Sequence, residues 1–196
     1  KMDGSIYKVT VTVTNNTAYG RLDTDVSVEK KEADATKYTP YTEESLNFTN
    51  NYQPEDATTT LYGHKSVTGG QLQSFKFGIF NEDGTPVTDN LADGQTQEVD
   101  SDKSSGNFQF DLVYDMDDLK NSNGSYRDTR TFTYQIYETS KTSETGNGYK
   151  VGGEKYQAVV TLTNADGKLT ATSVITPMGS TDPIAAGTPM EFTNSY

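Results

Sequence analysis

Residues 130–138 read Arg-Thr-Phe-Thr-Tyr-Gln-Ile-Tyr-Glu, a strand pattern in which apolar residues alternate with others until the last position. Side chains of a β-strand alternate between its two faces, so Phe132, Tyr134 and Ile136 point to the same side. Glu138 continues that register. The stretch therefore predicts a strand of a β-sheet that aims a carboxylic acid into a core.

Two further strand patterns place a polar residue where an apolar one is expected. Lys65 is in phase with Leu61 and Val67, and Asn194 is in phase with Met190, Phe192 and Tyr196. Burying any one of these polar groups without a partner is costly. An amine, a carboxylic acid and a carboxamide in one core are, however, the reagents for a Lys–Asn amide, with the Glu as proton shuttle.

Composition limits the setting of this chemistry. The chain has 196 residues, no cysteine, 13 Tyr, 8 Phe and a formal charge of −12. No disulfide can stabilise the fold, and the negative charge opposes binding to nucleic acid and insertion into anionic membranes. No apolar run approaches the ~18 residues of a membrane span, and neither a signal peptide nor a wall-sorting tail is visible. We expect any such signals to lie outside these residues.

Two segments of the chain recur near its C-terminal end. Residues 7–15 (YKVTVTVTN) resemble 156–164 (YQAVVTLTN), and residues 46–52 (LNFTNNY) resemble 190–196 (MEFTNSY). The offset of roughly 145 residues far exceeds solenoid units of ~20 to 50, so each copy should be a whole domain. We therefore expect 1–52 to be the C-terminal part of a preceding, incomplete repeat and 53–196 to be one complete domain.

Short alternating segments fill the complete domain. Seven strands are predicted, near 58–67, 73–80, 107–114, 130–138, 155–163, 168–176 and 188–196. Turn sequences separate them at 82–84, 123–124, 147–148 and 166–167, and residues 116–120 form the one short helical candidate. About seven strands in ~145 residues predict an all-β antiparallel sandwich.

An ordered series of motifs in this domain resembles the streptococcal pilin isopeptide linkage domain, the FctA or T-antigen type of Gram-positive surface proteins. The motifs are Gly63-His64-Lys65, Ser74-Phe75-Lys76-Phe77, Gly106-Asn107-Phe108-Gln109-Phe110, Tyr134-Gln135-Ile136-Tyr137-Glu138 and Phe192-Thr193-Asn194-Ser195-Tyr196. The resemblance covers 58–196. It implies an immunoglobulin-like sandwich with an intramolecular amide between the first and last strands. At the matching positions, Lys65 would be the nucleophile, Asn194 the electrophile and Glu138 the catalytic acid/base.

Elementary chemistry supports the same roles. Burial lowers the pKa of an amine and raises that of a carboxylic acid, so a neutral pair becomes accessible at neutral pH. A neutral Lys65 could then attack the Asn194 carbonyl while protonated Glu138 polarises it and relays protons to departing ammonia. Folding must come first, and the reaction happens once per molecule. We therefore predict no turnover and no cofactor.

The predicted function is structural, because a chain fused between its first and last strands resists extension. We expect a repeat of a cell-wall-anchored pilus or adhesin stalk at the cell surface, with neighbouring repeats or pilin subunits as partners. The alternative is an adhesive module that recognises a host glycan or protein through its loops, on an aromatic platform such as Tyr38, Tyr126 or Tyr149. Catalysis on an external substrate ranks third, although paired carboxylates for glycoside hydrolysis stay open.

Other polar residues receive weaker predictions. Asn50 is in phase with Leu46 and Phe48 and looks like the acceptor of the preceding repeat, although no Lys or Glu precedes it in the required strands. We expect a second chain or a neighbouring copy to complete 1–52. Acidic groups at 81–83 and 115–118 offer oxygen ligands for calcium, but neither has EF-hand spacing, so no metal site is predicted. Lys76 and Lys155 should face water, and His64, the only histidine, receives no role.

Overall fold

The computed structural model describes residues 2–50, 53–141 and 148–196. The chain divides into two compact units, Lys1–Gln53 and Pro54–Tyr196. Asn147, in the predicted turn at 147–148, and Tyr52, at the end of the first repeat, lie outside the described residues.

The first unit is a small antiparallel sheet. Its strands are β1 (Ile6–Asn16), β2 (Arg21–Lys31) and the two-residue β3 (Thr39–Pro40), in the order β1-β2-β3. The segment 46–50 lies outside these strands, and the ring of Phe48 contacts that of Tyr7 at 5.0 Å between centroids. Apolar side chains of β1 and β2, such as Val11 and Val26, remain more than half exposed.

In the residues that the structure describes, the second unit is a β-sandwich with eight strands. They are β4 (Ala57–Thr68), β5 (Lys76–Asn81), β6 (Glu98–Asp100), β7 (Asn107–Tyr114), β8 (Thr129–Glu138), β9 (Lys155–Ala165), β10 (Lys168–Pro177) and β11 (Met190–Ser195). One sheet has the order β10-β9-β8-β5-β6 and the other the order β11-β4-β7. The predicted all-β sandwich and its seven strands are confirmed. The short β6 is an addition, and a single 3-10 turn, Met116–Leu119, stands where a short helix was predicted.

Alternating residues of the strands form the core between the two sheets. In β7, Phe108, Phe110, Leu112 and Tyr114 are all buried, whereas the residues between them are exposed or half-buried. Removing one such large side chain from water contributes about 1.5–3 kcal/mol. The hydroxyls of Tyr114 and Tyr134 hydrogen-bond each other at 2.9 Å, so neither is left unsatisfied in this core.

The pairing of the first and last strands of the sandwich differs from the antiparallel prediction. β11 lies beside β4 and runs parallel to it, with Phe192 opposite Lys65 and Asn194 opposite Val67. The other strand pairs of this unit are antiparallel. Period-two alternation assigns side chains to faces but is the same for both directions of pairing, so sequence pattern does not distinguish them.

Candidate crosslinking site

Three strands from the two sheets bring the predicted trio together. Lys65 lies on β4, Asn194 on the neighbouring β11, and Glu138 at the end of β8 in the facing sheet. Lys65 and Asn194 are fully buried, and the side chain of Glu138 is only 3% exposed. The alternation of each strand therefore aims three polar groups at one point in an otherwise apolar core.

The three side chains form a closed hydrogen-bonded ring. Lys65 Nζ donates to Glu138 Oε2 at 2.6 Å and to Asn194 Oδ1 at 2.5 Å. Asn194 Nδ2 in turn donates to Glu138 Oε1 at 3.0 Å. One carboxylate oxygen of Glu138 thus contacts the nitrogen that would attack the carbonyl carbon, and the other contacts the nitrogen that would leave it.

The amine lies within reach of the carbon it would attack. A carbonyl bond is ~1.23 Å long, so Cγ of Asn194 can be no more than about 3.7 Å from Lys65 Nζ. Reacting atoms in near-attack conformers are about 3–3.5 Å apart. The upper bound therefore exceeds the near-attack range by only about 0.2 Å.

A fourth group at the site is a backbone amide that the sequence analysis did not single out. Gly152 N–H donates to Asn194 Oδ1 at 2.7 Å. Its segment runs along β11, because Lys150 and Ser195 exchange two backbone hydrogen bonds of 2.7 and 3.1 Å. The one feature of the sequence that could have indicated this contact is the Gly-Gly pair at 152–153, because paired glycines before a strand permit close approach of another backbone.

One aromatic ring lies beside the buried amine, and further aromatic rings pack in the same core. Nζ of Lys65 lies 5.1 Å from the ring centroid of Phe75. Phe77 and Phe108 stack at 3.8 Å, and Phe192 packs against Phe77 at 4.9 Å. Tyr149 covers Phe75 from outside, at 6.0 Å between centroids. In such surroundings, electrostatic interactions between the polar groups are much stronger than in water.

Burial lowers the pKa of Lys65 below its ordinary value of 10.5. The hydrogen bond and charge of Glu138 oppose this effect, and the charge of Glu154 opposes it further. The net direction favours the neutral, nucleophilic amine. Glu154 itself is half-buried, and its Oε2 atom has no hydrogen-bond partner among the described residues.

The structure places the remaining polar candidates elsewhere. Asn50 of the first unit is exposed, and its Oδ1 accepts a hydrogen bond from the backbone of Asp3 at 2.8 Å. Lys76 and Lys155 are exposed, as predicted. His64 is half-buried on the opposite face of β4 from Lys65, where its Nδ1 lies 2.8 Å from a carboxylate oxygen of Glu191.

The acidic clusters bind backbone and side-chain groups of their own loops. Asp115 caps the 3-10 turn by accepting from the amides of Asp117 and Asp118, and Asp83 accepts from Thr85. Across 2–50, 53–141 and 148–196, no three His, Cys, Asp or Glu side chains form a group that could hold a metal ion. The described residues also contain no helix with the length and apolarity needed to span a bilayer.

Comparison with known proteins assigns the family. The profile of the Spy0128-like isopeptide containing domain, FctA, matches residues 61–196. The chain belongs to this family. The matched region, the isopeptide domain (residues 61–196), has the all-β fold that the resemblance implies, and the matched family is a structural one. No curated protein matches the sequence.

Among solved structures, the chain is similar to a mutant of the major pilin from Streptococcus pyogenes. The two are 16% identical with a TM-score of 0.42, over 71% of this chain and 50% of that chain. The present chain therefore spans about half the length of that pilin.

Proposed function

We propose that the isopeptide domain is a structural module of a cell-wall-anchored pilus or adhesin stalk, locked by an amide between Lys65 and Asn194. The observation that carries the proposal is the buried ring in which Nζ contacts both the Asn194 carboxamide and Glu138. Family membership supports it, because the matched domains are defined by an isopeptide. The bond forms autocatalytically in the folded chain, without a cofactor.

The reaction begins with a proton transfer within the ring. Lys65 gives a proton to Glu138 and becomes a neutral amine, which adds to Cγ of Asn194. Glu138 then delivers its proton to Nδ2 and takes the second proton from Nζ, so the Cγ–Nδ2 bond breaks and ammonia departs. The products are one secondary amide and one ammonia, which leaves as ammonium with the proton that Glu138 carried.

High effective concentration makes this step feasible. An amide is a poor electrophile, and free lysine in water does not displace ammonia from it at a useful rate. Fixing the amine against the carbonyl in a dry core supplies an effective molarity of up to ~10⁵–10⁸ M. The reaction therefore depends on prior packing of β4 against β11.

The mechanical consequence suits a stalk. β4 and β11 are the first and last strands of the sandwich, so a covalent link between them carries tension past the rest of the unit. Such a module keeps its length under load. On this basis we place the protein outside the cell, on the wall of a Gram-positive bacterium, with neighbouring pilin subunits or repeats as its partners.

No observation favours the alternative of a loop-based binding module. Tyr126 is half exposed, and its hydroxyl donates to Asp117, whereas Tyr149 is half-buried over the crosslinking site. Tyr38 belongs to the other compact unit. The two tyrosines on the sandwich therefore contact its own residues.

Mass spectrometry of the unfolded chain tests the crosslink. Wild-type protein should be lighter than its sequence by one ammonia, and digestion should yield a branched peptide that joins Lys65 to Asn194. Lys65→Ala, Asn194→Ala and Glu138→Ala should keep the full mass. Lys155→Ala is the matched control, because it removes an exposed lysine and should leave the ammonia loss intact. Full mass for the wild-type protein would refute the proposal.

We further propose that residues 1–52 are the closing part of a preceding repeat, completed by strands from another polypeptide segment. Val9, Val11 and Val13 align with Ala158, Val160 and Leu162 through the internal repeat. The second set is fully buried between the two sheets, whereas the first set is 50–57% exposed. Among the described residues, the first unit thus exposes the face that the other sheet covers in the second unit.

A graft tests this interpretation. A copy of residues 53–153 is fused ahead of Ser5, so that β1, β2 and 46–52 can replace β9, β10 and β11 of the copied domain. Amides of β1 should become protected from hydrogen exchange, and a second ammonia should be lost through Asn50. A graft whose copied Lys65 is replaced by alanine should gain protection without the second loss. Unchanged exchange in β1 would contradict the interpretation.

A further inference from the structure

The carbonyl oxygen of Asn194 has a hydrogen-bond donor from outside the proposed trio. Gly152 N–H lies 2.7 Å from Oδ1, on the oxygen that gains negative charge when an amine adds to Cγ. A donor at that position binds the tetrahedral intermediate more strongly than the starting amide. Removing one such donor from an enzyme costs roughly 10²–10³-fold in rate.

The orientation of Glu138 leaves this task to the backbone. Its two oxygens accept from Lys65 Nζ at 2.6 Å and from Asn194 Nδ2 at 3.0 Å, so both contact nitrogens rather than the carbonyl oxygen. A backbone N–H can only donate, which requires the oxygen of the Asn194 carboxamide to face Gly152. The sequence predicts that Glu138 both polarises the carbonyl and relays protons. The geometry separates these two roles.

The position of Gly152 depends on its lack of a side chain. A Cβ atom built there would collide with the Thr193 carbonyl oxygen and with the Glu154 carboxylate. The backbone bonds between Lys150 and Ser195 hold the same segment against β11. At the neighbouring Gly153, a Cβ atom would meet open space.

We propose that the backbone amide of Gly152 is the oxyanion donor of the crosslinking reaction. As Nζ of Lys65 bonds to Cγ, the carbonyl electron pair moves onto Oδ1, where Gly152 N–H stabilises the charge. The pair returns when the Cγ–Nδ2 bond breaks, and Glu138 carries the proton from Nζ to departing ammonia. This inference rests on the proposed Lys65–Asn194 crosslink.

An amide-to-ester exchange at Gly152 tests the donor alone. Semisynthesis of the full chain with glycolic acid at this position replaces N–H by oxygen and adds no bulk. Each chain starts uncrosslinked in denaturant, and dilution starts folding, which circular dichroism follows, and crosslinking, which mass spectrometry follows as loss of ammonia. Roughly 10²-fold slower ammonia loss than in wild type, at an unchanged folding rate, is expected.

The same exchange at Gly153 is the matched control and should crosslink at the wild-type rate. Equal rates for wild type and the Gly152 ester would overturn the inference while leaving the crosslink intact. A wild-type chain that folds without losing ammonia would instead refute the crosslink, and with it any role for the amide.

A second measurement decides the matter if the ester at Gly152 prevents folding. In the uncrosslinked Lys65→Met variant, nuclear magnetic resonance should detect scalar coupling between the Gly152 amide nitrogen and Cγ of Asn194 through their hydrogen bond. The Gly153 amide should show none. Absence of the Gly152 coupling in the folded variant would overturn the inference.

Discussion

Loss of the crosslink should turn the sandwich from inextensible to extensible under force. The perturbation is Glu138→Gln, which keeps the shape of the side chain but removes the group that carries protons between the two nitrogens. The variant should fold, retain the Lys65 amine beside Asn194, and show no loss of ammonia.

The expected extension follows from the position of the bond. Lys65 and Asn194 are 129 positions apart in sequence. A fully extended chain spans ~3.3–3.6 Å per residue, so unfolding of the uncrosslinked sandwich should release about 430–460 Å. The folded separation subtracts little, because adjacent strands are only ~5 Å apart. In wild type, the proposed crosslink should exclude this whole segment from the force path.

Single-molecule force spectroscopy with handles on both ends of the full chain measures this length directly. Residues outside the loop, including the first unit, extend equally in wild type and variant, so the difference between the two isolates the segment between the crosslinked residues. Lys155→Ala should behave as wild type. A wild-type release of several hundred ångströms from the sandwich would refute the reasoning, as would a Glu138→Gln variant that stays inextensible at its full mass.

Three further predictions concern the surroundings of the buried amine. In uncrosslinked Glu138→Ala, the pKa of Lys65 stays below the 10.5 of the unfolded chain, because burial lowers it. At pH values between the lowered pKa and 10.5, the unfolded state then binds more protons than the native state, so unfolding free energies from urea titrations should rise with pH in that range, by up to about 1.4 kcal/mol per pH unit. Lys65→Met/Glu138→Ala should lack this rise. Glu154→Gln removes a charge that raises the pKa of Lys65. For chains that start uncrosslinked in denaturant, the rate of ammonia loss on folding should therefore reach its plateau at lower pH than in wild type, and a shift to higher pH would contradict this assignment. Gly63→Ala places a methyl group against the Phe108 ring. In the Glu138→Ala background, thermal unfolding should show that this substitution lowers the free energy of unfolding by about 1–3 kcal/mol. Gly153→Ala, whose methyl group meets open space, should lower it much less.

Much of the site could be predicted because it depends on alternation within single strands. Lys65, Glu138 and Asn194 each continue an apolar register, and burying such groups singly is unfavourable. Alternation predicted that the three side chains point into the core, and the cost of burying each one alone predicted that they meet there. The same rule correctly assigned Lys76 and Lys155 to solvent.

Alternation does not identify neighbours across long separations in sequence. The contact between Gly152 and Asn194 joins residues 42 positions apart, and the parallel pairing of β11 with β4 joins the two ends of the sandwich. Such contacts depend on which strands pair and on which loops pass close to them. The residue pattern within one strand does not indicate either of these.

Local periodicity and the cost of burying polar groups were enough to predict the strands, the faces they bury and the three polar side chains that converge in the core. Which atoms touch depends on the folded sandwich. It directed the Glu138 oxygens to the two nitrogens and brought the Gly152 amide to the carbonyl oxygen, since each of these contacts joins segments that the folded sandwich alone holds together.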